Sequence, residues 1–291
     1  MKRWHYIVVL IAVVSVLFVW KREPVMLGFA ASKVSKTSLE DRIKLIEGAI
    51  ELRLPEGGAA PYPVVLQFHG CAGVDVPFHH QWADVANSAG YAAMIVDSTG
   101  PRGFSRQAAL DIVCQGKALL GQERAGDVLA AIHIAEADPR LDAKRIILAG
   151  WSHGGWTVMD YLTMDFKRRW PAGLKHEAEQ PPAINGVILF YPYCGSGALS
   201  RFRQWRGQPD VLTLIAGSDT IVDAAQCISY FERKKRAGDP VDMMIYPDAE
   251  HVFDDPFLDA DYIDWYNEQY ANDAMARYSA FLERLKASPA P

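Results

Sequence analysis

The sequence lacks the short signatures that announce several common chemistries. It has no H-E-x-x-H and no C-x-x-C, so neither a helix-borne zinc site nor a thioredoxin-like redox pair is expected, and no metal or other cofactor is predicted. Basic residues form no dense run beyond Arg233-Lys234-Lys235-Arg236, which reads as the solvated end of a helix, and the formal net charge is -5. A nucleic-acid partner is therefore not expected. His79-His80 reads as a solvated loop pair. There is no internal repeat and no low-complexity segment. Cysteine is scarce: Cys71, Cys114, Cys194 and Cys227 allow three pairings if the domain is exported, and the sequence does not choose among them. Nothing in it bears on oligomeric state.

What the chain does have is apolar content. Half of its 291 residues are hydrophobic, enough for one large α/β domain. The first 22 residues stand apart, because Met1-Lys2-Arg3 precede an apolar run from Tyr6 to Trp20 that Lys21-Arg22 closes. The run sits between a long signal core and a short membrane span, with Trp4 and Trp20 placed for the two interfaces. Small residues suited to cleavage lie far downstream at Gly28-Phe29-Ala30, so an uncleaved anchor through residues 5–20 is favoured over a cleaved signal peptide. Lys21, Arg22, Lys33 and Lys36 follow the span, so the charge count does not set its orientation. Export is expected from the charged start and apolar run, with the main domain outside the cytoplasm, periplasmic or extracellular. The expected organisation is 1–22 signal anchor or signal peptide, 23–40 linker, 41–287 folded domain and 288–291 tail.

Along the domain, Ile43 to Leu54 alternates as an edge hairpin strand would, ending at the turn Pro55-Glu56-Gly57-Gly58. Short apolar runs then recur at Val64–Phe68, Ala92–Val96, Ile146–Ala149, Gly186–Tyr191, Val211–Ala216 and Val241–Tyr246. Between several of them lie helical patterns, including Trp82–Ala89, Arg124–Ala137 and a final stretch over Tyr262–Leu285. Such alternation predicts a mostly parallel sheet with helices on both faces.

The chemistry is concentrated at strand ends. Ile146–Ala149 runs into Gly150-Trp151-Ser152-His153-Gly154, which fits G-x-S-x-G on a strand-to-helix turn, the arrangement that lifts a serine hydroxyl clear of a sheet. Alone this pattern recurs by chance. Its weight comes from two later segments, Gly217-Ser218-Asp219-Thr220 and Pro247-Asp248-Ala249-Glu250-His251, each just past a strand and in the order Ser, acid, His. Upstream, Val64–Phe68 empties into His69-Gly70-Cys71-Ala72-Gly73, where the Cys71 N–H is a candidate oxyanion donor beside the N–H of His153. Cys71 itself is expected as a space-filling residue. Asp223 is the fallback acid. Arg102, in the rigid loop Asp97-Ser98-Thr99-Gly100-Pro101-Arg102-Gly103, either clamps a substrate carboxylate or pairs with Asp97, the structural role coming first.

Taken together, HGCAG, DSTGPRG, GWSHGG, GSDTIVD and YPDAEHVFD resemble the dienelactone hydrolase branch of the α/β-hydrolases, over roughly Ile43 to Leu285. The resemblance implies a three-layer α/β-hydrolase fold, preceded here by the membrane segment, with Ser152 as nucleophile, Asp219 as orienting acid and His251 as base. The family's founding members carry cysteine at the elbow, so this is a serine-nucleophile relative for which a wider range of esters and lactones is the better analogy. The expected activity is hydrolysis of small carboxylic esters or lactones through an acyl-enzyme. A peptidase or acyltransferase using the same triad, or a binding protein that keeps the fold without turnover, are the alternatives. The segment Tyr193 to Asp210, where this fold usually inserts a lid, is short. An open site is expected, with Trp151, Trp156, Tyr193 and Trp205 as apolar walls.

Overall fold

The structure is a computed structural model that describes residue 23, residues 26–176 and residues 181–287. The expected membrane segment and the tail lie outside the described residues, and among those described no helix is long and apolar enough to cross a membrane. Seven strands form one sheet in the order β1-β3-β2-β4-β5-β6-β7. They are β1 (Ile50–Arg53), β2 (Tyr62–Phe68), β3 (Ala92–Val96), β4 (Leu141–Trp151), β5 (Gly186–Phe190), β6 (Asp210–Ala216) and β7 (Val241–Tyr246). Of these, β1 is antiparallel to its neighbour, and every other pairing is parallel.

Side-chain alternation along the strands divides the interior into two layers. Val64, Leu66, Phe68, Ile146 and Leu148 face one side. There they meet α1 (Leu39–Ile46), α4 (Gly121–Ala137), α5 (His153–Leu162) and α6 (Ala224–Arg236). Val65, Ile147, Ala149 and Trp151 face the other, against α2 (Val76–Ser88) and α7 (Glu268–Ala287). A short helix α3 (Arg106–Ile112) lies in the connection between β3 and α4. Crossovers to both faces put the carboxyl ends of β2 to β7 on one rim, where ligands bind in such sheets.

The segment over 43–54 differs from expectation. Ser38 caps a helix by accepting a hydrogen bond from the Asp41 N–H at 3.0 Å, and Leu39, Arg42 and Ile46 form its buried stripe. The apparent alternation was the end of α1 running through a helical turn into β1, and β1 pairs with β3 rather than forming a hairpin with the next strand. The linker is partly bound to the domain as well. Leu27 is buried, its carbonyl accepts from Gln122 at 3.2 Å, and Glu23 holds Arg201 at 2.9 Å. His79 is buried within α2, its Nδ1 at 2.6 Å from the Asp75 carbonyl, while His80 faces Glu51. Arg233 to Arg236 form the last turn of α6 as read, except that Lys234 is buried over the Trp205 ring.

Candidate active site

Ser152 sits between the end of β4 and the first residue of α5 with φ 52° and ψ -113°, a backbone conformation unfavourable for an L-residue. Contacts on both sides over-determine it. Its N–H donates to the Phe190 carbonyl at 2.9 Å, and its carbonyl accepts from Trp156 at 3.1 Å and Tyr193 at 3.3 Å. Close backbone approach explains the glycines. A Cβ on Gly150 would lie 2.6 Å from the Gly154 carbonyl, and one on Gly154 would collide with the Phe68 carbonyl oxygen at the end of β2.

Three distant side chains meet there. His251 Nε2 lies 2.9 Å from Ser152 Oγ, and His251 Nδ1 lies 2.6 Å from Asp219 Oδ2. A carboxylate only accepts, so the Nδ1 proton points to Asp219 and the Nε2 lone pair to the serine hydroxyl. The other Asp219 oxygen accepts from the Ile221 and Val222 N–H groups at 2.9 and 2.8 Å. Glu250 accepts from the Thr220 N–H and hydroxyl, each at 3.0 Å, and so ties the loop after β6 to the turn that carries His251. Asp223 instead caps α6, accepting from the Ala225 and Gln226 N–H groups.

The turn after β2 closes over the same serine. A Cβ placed on Gly70 would lie 3.8 Å from Ser152 Cβ, and Cys71, Ser152 and His153 line one cleft. As the first residue of α5, His153 has an N–H without an intrahelical acceptor. Cys71 is not merely space-filling: it forms a disulfide with Cys114, and Cys194 pairs with Cys227.

Beneath this turn lies Arg124, fully buried on α4. Its Nε donates to Ser98 Oγ at 2.9 Å, while its Nη1 donates to the His69 carbonyl at 2.8 Å and to His153 Nδ1 at 3.2 Å. One guanidinium thus holds both segments that carry the expected oxyanion donors. Burial brings Arg124 down to about 10, still protonated at neutral pH. Burial first, and then the Arg124 charge, keep His153 neutral, its pKa far below the ordinary histidine range. The same two causes lower His69 to about 4. The His69 Nδ1 lies 2.6 Å from the Gly70 carbonyl and its Nε2 accepts the Ser98 N–H at 3.0 Å, which suits a neutral ring.

Two expected substrate contacts are elsewhere. Arg102 donates to Asp127 at 2.8 Å and to the Ser98 carbonyl at 2.6 Å, so its structural role holds with Asp127 rather than Asp97 as partner. Asp97 instead accepts from the Thr99 and Gly100 N–H groups. Trp151 points to the opposite face of the sheet, stacked on Phe190 at 4.8 Å, with its indole N–H donating to buried Asp254 at 3.3 Å. Trp205 packs under Lys234 and beside Tyr230. Trp156 and Tyr193 do line the cleft. Sequence reasoning missed Arg124 and the wall from Val113 to Gly116. Charged Arg124 and Asp127 at helical spacing from the apolar Val128, Leu129 and Ile132 were the available signal for the first.

Comparison with known proteins fits this arrangement. Residues 77–178 match the prolyl oligopeptidase family and residues 173–286 the dienelactone hydrolase family. The acylamino-acid-releasing enzyme of Rattus norvegicus is 22% identical over 199 residues, 59% of this chain and 26% of that one. A "Probable dipeptidyl-aminopeptidase B" of Aspergillus clavatus is 32% identical over 121 residues, 40% of this chain and 13% of its own. The chain thus matches only about a quarter or less of the length of these curated relatives. Among solved structures, a dienelactone hydrolase-like promiscuous phosphotriesterase from metagenomic libraries superposes with a TM-score of 0.63 at 18% identity, covering 81% of this chain and 92% of that one. The carboxylesterase Cest-2923 from Lactobacillus plantarum WCFS1 gives 0.59 at 16%, covering 82% and 94%. The structural likeness shows the α/β-hydrolase fold, and the chain is similar to the dienelactone hydrolase family as its motifs implied.

Proposed function

We propose that this chain is a serine hydrolase that cleaves small carboxylic esters or lactones. The observation that carries the reading is the unbroken hydrogen-bond path Ser152–His251–Asp219 at the strand ends. Ser152 Oγ attacks the acyl carbonyl as His251 Nε2 takes its proton, and Asp219 holds the ring tautomer and stabilises the imidazolium. The carbonyl oxygen becomes an oxyanion facing the N–H groups of Cys71 and His153, where losing one such donor typically raises the barrier by about 3 kcal/mol. Collapse breaks the bond to the leaving alcohol, which takes the proton from His251. Water then gives its proton to His251 and attacks the acyl carbon. The acid leaves and Ser152 regains its proton.

Export accompanies this reading. Two disulfides suit an oxidising compartment, and a tether through residues 5–20 would hold the domain at a membrane. A peptidase reading is favoured by one observation, the prolyl oligopeptidase match across the nucleophile segment. Labelling with a fluorophosphonate, followed by a panel of ester, lactone and peptide substrates, tests both. Wild type is expected to be modified at Ser152 and to turn over esters or lactones best. Peptide cleavage faster than ester cleavage by untreated enzyme whose Ser152 is the residue that takes the label replaces the ester reading, and no modification of Ser152 ends it.

A further inference from the structure

We infer that the cleft over Ser152 selects esters whose bound side is uncharged and carries an aromatic or branched apolar group. This rests on Ser152 being the nucleophile. The cleft has a volume of about 550 Å³, within the usual range of small-molecule sites, and none of the described residues lining it is Asp, Glu, Lys or Arg. Arg102 is engaged with Asp127. Arg124 is shut off beneath the elbow, its Nε and Nη1 donors ending on Ser98, His69 and His153. A substrate carboxylate would lose its hydration in this cleft and meet no counter-charge.

The apolar corner is built rather than incidental. The Trp156 indole N–H is turned to Asp160 at 2.9 Å and the Tyr193 hydroxyl to the Ser196 carbonyl at 2.7 Å, which leaves ring carbon as the surface on offer. The two rings lie 5.0 Å apart, tilted by 48°. Gly121 packs so closely on Trp156 that a Cβ there would collide with the indole, and a Cβ on Gly197 would sit 3.5 Å from it on another side. Each flank is covalently braced, one by Cys71–Cys114 and the other, beside Tyr193, by Cys194–Cys227. A slot held in place before binding costs little ordering when a flat or branched group enters.

The test compares p-nitrophenyl esters of benzoate, 4-carboxybenzoate and acetate on the full chain, with active sites counted by fluorophosphonate titration. The benzoate is expected to exceed the 4-carboxybenzoate in kcat/KM by about 30-fold or more, since a buried charge without a partner is rejected more strongly than a change of size. Trp156→Ala is expected to cut the benzoate-to-acetate ratio about tenfold, and Tyr193→Ala, a half-buried site, supplies the same readout if the tryptophan variant does not fold. Titratable enzyme that cleaves both benzoates equally well, or a ratio unmoved in a folded variant, overturns the inference while leaving the nucleophile intact. Failure of Ser152 to titrate removes the underlying reading and this one together.

Discussion

Arg124 shows how much of the site depends on a residue that never reaches the cleft. It joins the His69 carbonyl to the His153 ring, so its removal loosens both segments proposed to carry the oxyanion donors and leaves a buried carbonyl without its donor. Arg124→Met is expected to lower kcat by about 10- to 100-fold, somewhat less than direct loss of an oxyanion donor, with KM little changed. A tetrahedral boronate inhibitor should weaken in parallel, with Arg124→Lys recovering part of both. A loss confined to folded fraction, with kcat per titrated site unchanged, would make Arg124 a purely structural residue. The two acids separate just as cleanly. Asp219→Asn is expected to cost about 10⁴ in kcat through the wrong His251 tautomer. Asp223→Ala removes only the α6 cap and is expected to lower the thermal midpoint slightly, with turnover per active site retained.

The elbow belongs to the scale of elements, because its geometry is a crossing of β4, α5 and the end of β2. Gly154→Ala places a methyl group against the Phe68 carbonyl and 2.7 Å from the His69 carbonyl. Neither backbone can retreat without breaking the sheet or the turn, so a loss of at least about 3 kcal/mol is expected, read as a lowered thermal midpoint and lost phosphonate labelling. This element was legible in the sequence because its signal is local: an apolar run, then glycines flanking a serine. The six parallel strands were legible for the same reason. The helix α1 was not, since its buried stripe includes Arg42, and an arginine reads as surface until its partner Asp127, 85 residues away, is brought beside it. Trp151 was misplaced as a cleft wall on the same ground, and Arg102, read first as a structural residue, has Asp127 as its partner where Asp97 was expected. Residue type announces what a side chain can bind, but here Asp127 and Asp254 had already claimed them.

At the scale of the whole molecule, the disulfides and the buried acids set the conditions under which the fold persists. Pairing across 43 and 33 residues removes loop entropy from the unfolded chain worth about 4 kcal/mol for each bridge, so reductant is expected to lower the thermal midpoint sharply. An unchanged midpoint with four free thiols counted would show that neither bridge stabilises the domain. The buried acid Asp254 imposes a pH dependence of definite sign. Burial pushes it up to about 7 even though the Tyr191 hydroxyl and the Trp151 indole N–H bond to it. Its folded pKa lies above the unfolded value near 3.8, so between these two values the folded state binds more protons than the unfolded chain. The stability it lends is complete below about pH 4 and is lost as the pH rises through about 7, with a slope for a single group of at most about 1.4 kcal/mol per pH unit. Asp254→Asn keeps an acceptor for Trp151 and offers a donor to the Tyr191 oxygen while removing the titration. The variant's thermal midpoint should therefore fall less steeply than that of wild type between about pH 4 and pH 7, the remaining decline coming from Asp160 and Asp255, which burial raises to about 7 and about 6. Parallel declines in the two proteins would place the titration on another group. Asp254 lies three residues beyond His251, whose ring packs 4.7 Å from Tyr191, so ionising this acid in the folded state also strains the support of the base. Loss of activity is then expected as the pH rises through about 7, above the interval in which stability declines, and is expected to be relieved by Asp254→Asn.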